Sequence, residues 1–215
     1  MSDFENDYEE DSTAGNMPFP VITAVIIAIN VIVHLFLEVK GSTEDIDFML
    51  RYGALSYDRV LYHNEYYRII TSFFMHFGYE HLLSNMFVFG LLGYYLENVL
   101  HRWNYLILYI LSGILSGISS MMWYYYQGVY CVSAGASGAI FGIIGALFFL
   151  IMVNKGKIEG ITLGRIIMFL ILALYNGYQN YNVDNAAHIS GFFSGIIIMA
   201  VIYAGKIISK KMFSH

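Results

Sequence analysis

Ser137 sits between Gly135 and Gly138 at the head of an apolar run, 135–153, that is long enough to cross a bilayer. Three more polar side chains, His81, Asn85 and His188, also lie inside apolar runs. Polar groups in such runs are costly and point to function. Serine is a weak nucleophile that needs an adjacent base. Histidine is the side chain whose proton affinity suits that task near neutrality. The four residue types together describe a hydrolytic site buried in a membrane.

Spacing sharpens this reading. Ser137 is expected at a helix N-terminus, where its own N–H has no helical partner and can serve as an oxyanion donor. His81 and Asn85 are four residues apart and project from one helix face, where both can complete an oxyanion hole. Gly191 and Gly195 follow His188 by three and seven residues, so they share its side of the helix. Such a small-residue face invites the closest helix neighbour. If that neighbour is the glycine-rich run after Ser137, His188 touches Ser137. Each residue alone also has a plain structural reading. Ser137 is then a helix-packing serine, His188 a histidine bonded to a backbone carbonyl, and His81 with Asn85 interhelical glue.

The elements that must position these groups follow from composition. Of 215 residues, 58% are hydrophobic and 13% charged, about half the charge of a typical soluble domain. At about 20 residues per crossing, the chain holds about six spans and leaves no room for a second, soluble domain. The expected spans are Phe19–Leu37, Leu82–Val99, Trp103–Tyr125, Gly135–Val153, Leu163–Gly177 and Ala186–Ala204. Residues 1–16 hold six acids and no lysine or arginine, which reads as a disordered acidic tail and not a signal peptide. The catalytic body is expected over 17–208, with a short basic tail at 209–215. Residues 38–68 are too charged to span and too rich in tyrosine and leucine for a linker. They read as a folded or interfacial loop with Tyr62, Tyr66 and Tyr67 at headgroup depth. Residues 154–160 read as a tight charged turn.

Six spans put both termini on one side. If that side is the cytoplasm, seven lysines and arginines lie inside and four outside, all four in the 38–68 loop. The starts of the fourth and sixth spans then share the outer end, which brings Ser137 and His188 to one depth. No basic stripe points to nucleic acid. The single cysteine, Cys131, excludes an internal disulfide and reads as a packing residue. The histidines fall on separate segments without a carboxylate or thiolate set, so no metal or other cofactor is expected. His34 reads as an interfacial or satisfied histidine, and Glu97 and Asp184 as capping or anchoring residues. The pattern around Ser137 is not the G-x-S-x-G nucleophile elbow, because residue 139 is alanine.

With these residues in place, the chain resembles the rhomboid intramembrane serine proteases. The features that carry the resemblance are Tyr67-Arg68, His76, His81 and Asn85 at H-x4-H-x3-N spacing, Glu97, Gly135-Ala136-Ser137-Gly138, and Ala187-His188 with Gly191 and Gly195. Tyr67 stands where that family usually has tryptophan. The resemblance implies an all-α membrane protein, a six-transmembrane-helix bundle with a short, buried fourth helix. It implies Ser137 as nucleophile and His188 as general base, a dyad with no carboxylate partner. The Ser137 N–H, His81 and Asn85 would hold the oxyanion. His76 and Gly135 would lie near the site, Phe141 would pack on the histidine ring, and Arg68 and Glu97 would serve structure. Substrates would be single-span membrane proteins cut near the outer end of their helices, and the small six-span body suggests a bacterial plasma membrane. Two other readings remain at this stage, an inactive relative that binds membrane proteins and a small transporter or proton relay. The first usually lacks the serine or histidine, and the second does not explain Gly-Ala-Ser-Gly.

Overall fold

The computed structural model describes residues 18–154, 157–158, 161–179 and 183–213. The acidic tail at 1–16, part of the charged turn at 154–160, residues 180–182 of the loop before His188 and the last two residues of the chain lie outside the described residues. The fold is all-α apart from one small hairpin. In chain order the helices are α1 (Val21–Lys40), α2 (Ile46–Tyr52), α3 (Tyr57–His63), α4 (Arg68–Thr71), α5 (Gly78–Val99), α6 (Arg102–Gln127), α7 (Ser137–Val153), α8 (Leu163–Gln179) and α9 (Asn185–Phe213). The antiparallel strands β1 (Lys157–Ile158) and β2 (Ile161–Thr162) join α7 to α8.

Three helical stretches are long and apolar enough to cross a membrane: Val21–Lys40, Arg102–Gln127 and Asn185–Lys206. α7 and the Leu163–Ala173 part of α8 are apolar but shorter. α5 has 22 residues, and Glu80, His81, Asn85, Glu97 and Asn98 dilute its apolar character. The structure thus gives a helical membrane bundle in which three of the six expected spans are long and apolar enough to cross among the described residues, and the helix ends differ by a few residues from those expected. The displacement matters once. Gly135 lies outside the helix it was expected to open, because its φ of +143° is not helical and favours glycine.

α7 is the axis of the bundle. Its 17 residues rise about 25 Å, and most of its side chains, from Ala139 to Ile151, are buried. A helix apolar on every side is a core helix. Its glycines explain how neighbours come so close. A Cβ on Gly191 or Gly195 of α9 would fall on the carbonyl oxygens of Gly138 or Gly142, and one on Gly145 would fall on the carbonyl of Phe192. α7 and α9 therefore meet backbone to backbone. On another side, a Cβ on Gly138 or Gly142 would strike Ser116 or Ser112 of α6.

The 38–68 segment is folded, as expected. α2 and α3 are joined to α4 through Arg68, which is 3% exposed. Its Nη1 donates to the carbonyls of Leu50 (2.6 Å) and Ala54 (2.8 Å), and its Nε donates to Glu65 (2.6 Å). The hydrogen bond from Arg68 holds the Glu65 carboxyl below its ordinary range. Tyr62, Tyr66 and Tyr67 are exposed. The opposite end of the bundle is tied by Glu97, which accepts from the N–H groups of Ile22 and Thr23, both at 2.8 Å, and from Thr23 Oγ1 at 2.7 Å. Tyr105 Oη lies 2.8 Å from Thr23 Oγ1. A carboxylate from α5 thus caps the uncapped start of α1, the anchoring role expected of Glu97.

Candidate active site

Ser137 is placed by the extended segment that precedes it. Leu55 N–H donates to Ser133 O (2.9 Å), and Ser133 N–H returns the bond to Leu55 O (2.8 Å). Gly135 N–H then donates to Ser72 O at 3.0 Å, and Ala136 N–H donates to His76 Nε2 at 3.3 Å. Four contacts to the folded loop therefore pin residues 133–136. Burial, with smaller contributions from His81 and His34, holds the His76 ring well below its ordinary pKa, so it is neutral and Nε2 is free to accept. The φ of Gly135 favours glycine, and a Cβ there would also collide with the His81 ring. Glycine is therefore needed at 135 for two independent reasons.

α7 begins at Ser137 with no side chain capping its N-terminus. Its first N–H groups are unpaired by helical geometry and carry the positive end of the helix dipole. Ser137 Oγ lies 2.9 Å from His188 Nε2. The His188 ring stacks on Phe141, one turn along α7, with centroids 4.2 Å apart and planes 8° from parallel. His188 is 7% exposed, and its Nδ1 has no hydrogen-bond partner among the described residues. A stack, and no hydrogen bond to a carboxylate, orients the ring.

The other expected residues gather around this pair. The His81 ring packs against Gly135 and edge-on to His76, with centroids 5.2 Å apart. Asn85 is 7% exposed and donates one amide hydrogen to the His81 carbonyl at 2.9 Å, leaving the second available. Neither bonds directly to Ser137 among the described residues. His34 differs from expectation. It is fully buried against Tyr79, not interfacial, and neither ring nitrogen is hydrogen-bonded in good geometry among the described residues.

One group of residues lies outside the sequence reading, and one residue, Asp184, does more than the capping or anchoring expected of it. Ser112, Ser116 and Ser120 form a buried stripe on α6. Ser116 Oγ donates to Ala187 O at 3.0 Å, and Ser120 Oγ donates to Asp184. Their four-residue spacing was the available signal, a polar line down one face of an apolar span. Asp184, one turn before His188, was expected only to cap or anchor. It accepts from Ala187 N–H at 2.9 Å and so caps α9, and it also accepts from Ser133 Oγ at 2.8 Å.

The arrangement can carry out acyl transfer: a hydroxyl beside an imidazole, at the open N-terminus of a buried helix. Comparison with known proteins points the same way. The chain is 30% identical over 184 residues to the rhomboid protease GluP of Bacillus subtilis, covering 85% of this chain and 35% of that protein. It is 29% identical over 180 residues to YdcA of the same organism, covering 84% and 87%. It is 30% identical over 200 residues to the rhomboid protease AarA of Providencia stuartii, covering 82% and 70%. The chain thus spans about a third of the length of GluP but most of YdcA and AarA. The Rhomboid domain family matches residues 63–205, from the end of α3 through most of α9. That stretch contains every residue of the Ser137 cluster, and the chain belongs to the rhomboid family of integral membrane proteins.

Proposed function

We propose that the chain is an intramembrane serine endopeptidase working through a Ser137–His188 dyad. The observation that carries this reading is the 2.9 Å approach of Ser137 Oγ to His188 Nε2, with the ring held flat on Phe141. In this reading His188 takes the Ser137 proton as Oγ attacks a peptide carbonyl. The oxyanion is met by the Ser137 N–H, the free amide hydrogen of Asn85 and the His81 ring, each contributing about 3 kcal/mol if aligned. His188 then protonates the leaving amine, and an acyl-enzyme remains. Water, deprotonated by the same ring, releases the second product. The relatives named as rhomboid proteases support this chemistry.

The substrates are membrane proteins with one span, cut near the outer end of that span, where water reaches the start of α7. Both termini face the cytoplasm, and the host membrane is a bacterial plasma membrane. The asymmetry of lysine and arginine supports this orientation.

The test is covalent labelling of the full chain in detergent with a serine-directed fluorophosphonate. The expected result is labelling at Ser137 that vanishes in Ser137→Ala and falls at least about 1,000-fold in His188→Ala. A folded wild type that neither labels nor cleaves a single-span substrate refutes the proposal. Acid should also silence the enzyme, because a protonated His188 cannot accept the serine proton. Cleavage that persists undiminished well below about pH 5 rules out a histidine base.

A further inference from the structure

We infer that Asp184 is a positioning residue of the dyad: it fastens the segment carrying Ser137 to the helix carrying His188 and sets a negative charge one turn behind the imidazole. The inference rests on the dyad reading above.

One carboxylate is bonded to all three segments that meet at the pair. Oδ1 accepts from the N–H of Ala187, the neighbour of His188. Oδ2 accepts from Ser133 Oγ, four residues ahead of Ser137, at 2.8 Å. Oδ2 also accepts from Ser120 Oγ of α6, which is 1% exposed. Ser133 is itself clamped to Leu55 through both backbone groups. Its hydroxyl is therefore aimed at Asp184 from a backbone that cannot drift. A simple helix cap needs the first bond only. The bonds to Ser120 and Ser133 reach across two other segments and fix the distance between Ser137 and His188.

The charge has a second consequence. His188 Nδ1 has no partner among the described residues, so no carboxylate touches the ring. The titratable groups that face it are Asp184 on its own helix and His81 from α5. Tyr124 of α6 and Cys131 face Asp184 in turn. Burial raises the Cys131 thiol to about 11, so it adds no charge at neutral pH. Asp184 is thus the negative group near the ring, and it favours the imidazolium that forms as Ser137 attacks.

The experiment measures fluorophosphonate labelling rates of the full chain in detergent from about pH 3 to 9, with helicity and thermal midpoint at each pH as folding controls. Asp184→Asn keeps an acceptor and loses the charge. It should label about 10-fold more slowly at neutral pH, with its acid limb moved to lower pH by about half a unit or more. Asp184→Ala should slow about 100-fold. The double variant Ser120→Ala/Ser133→Ala keeps the charge and loses the tie. It should slow about 10-fold with its acid limb unmoved.

A folded Asp184→Asn with wild-type rate and wild-type acid limb overturns the inference. So does a slowing in Asp184→Asn with an unmoved limb, since a cap of purely structural importance would do that. If Asp184→Ala does not fold, the other two variants decide. Wild type that labels at Ser137 while these variants are indifferent defeats this inference alone. Wild type that does not label at Ser137 defeats the dyad reading, and this inference with it.

Discussion

Two buried polar clusters sit toward opposite ends of this bundle, and they differ in one respect that separates an anchor from a site. At one end Thr23, Glu97 and Tyr105 join α1, α5 and α6. The Glu97 carboxylate takes three hydrogen bonds, and the Thr23 hydroxyl is shared with Tyr105. Some 15 residues along α6, about 22 Å, Ser120 marks the level of the Ser137–His188 cluster. There the accounts stay open. Among the described residues, His188 Nδ1 and His76 Nδ1 have no hydrogen-bond partner, and no side chain caps the start of α7. Nearly all buried polar groups in folded proteins are paired, so unpaired ones call for an explanation. The groups of the first cluster are bonded to one another and tie α1, α5 and α6 together. The open one presents donors and an acceptor to something that arrives.

This contrast can be broken experimentally. Glu97→Ala should give the largest effect. It strands the backbone N–H groups of Ile22 and Thr23 in the bundle and should cost about 3–5 kcal/mol of stability. Equilibrium unfolding in mixed detergent reads this loss, while the rate of Ser137 labelling per folded molecule stays within about twofold. A rate that collapses along with the stability would mean the two ends are coupled and the contrast is false.

Gly191→Val comes next and acts on the other cluster. Its Cβ would enter the carbonyl of Gly138 and push α9 away from α7. A displacement of about 1 Å at the dyad should cost about 100-fold in cleavage, a larger fraction of activity than of helicity. Equal losses in both would make the glycine seam a packing device only. Phe141→Ala should have the smallest effect. It removes the ring on which His188 is stacked, and kcat should fall about 10-fold with KM little changed. An unchanged kcat would show that something other than the stack orients the imidazole.

Much of the site was legible beforehand. The spacing of His81 and Asn85, and of His188 with Gly191 and Gly195, gave the faces on which these groups stand. Glycines on two spans suggested that those spans meet, and α7 and α9 do meet backbone to backbone. Periodicity says which side of a helix a residue occupies, but not what lies opposite. For that reason the partners of the serine stripe on α6, and the three segments that Asp184 joins, could not be read from the sequence, although the four-residue serine spacing and an anchoring role for Asp184 could. His34 was misjudged for a related reason. Its place near the end of a span suggested an interfacial or satisfied ring, but Tyr79 of α5 packs edge-on against it and it is fully buried.

By itself, the sequence determined the solvent, the helical periods, the glycine faces and the residue types of the proposed dyad, because each is a property of residue types along one chain. Only the tertiary structure decided that the backbone at Gly135 takes a φ of +143° against the His81 ring. The tertiary structure also decided that His188 arrives at 2.9 Å with Phe141 beneath it, and that Asp184 binds three segments at once. The Ser137–His188 and Ser133–Asp184 contacts each join residues 51 apart in the chain. Such contacts are set by how closely glycine lets backbones approach, which no local pattern encodes.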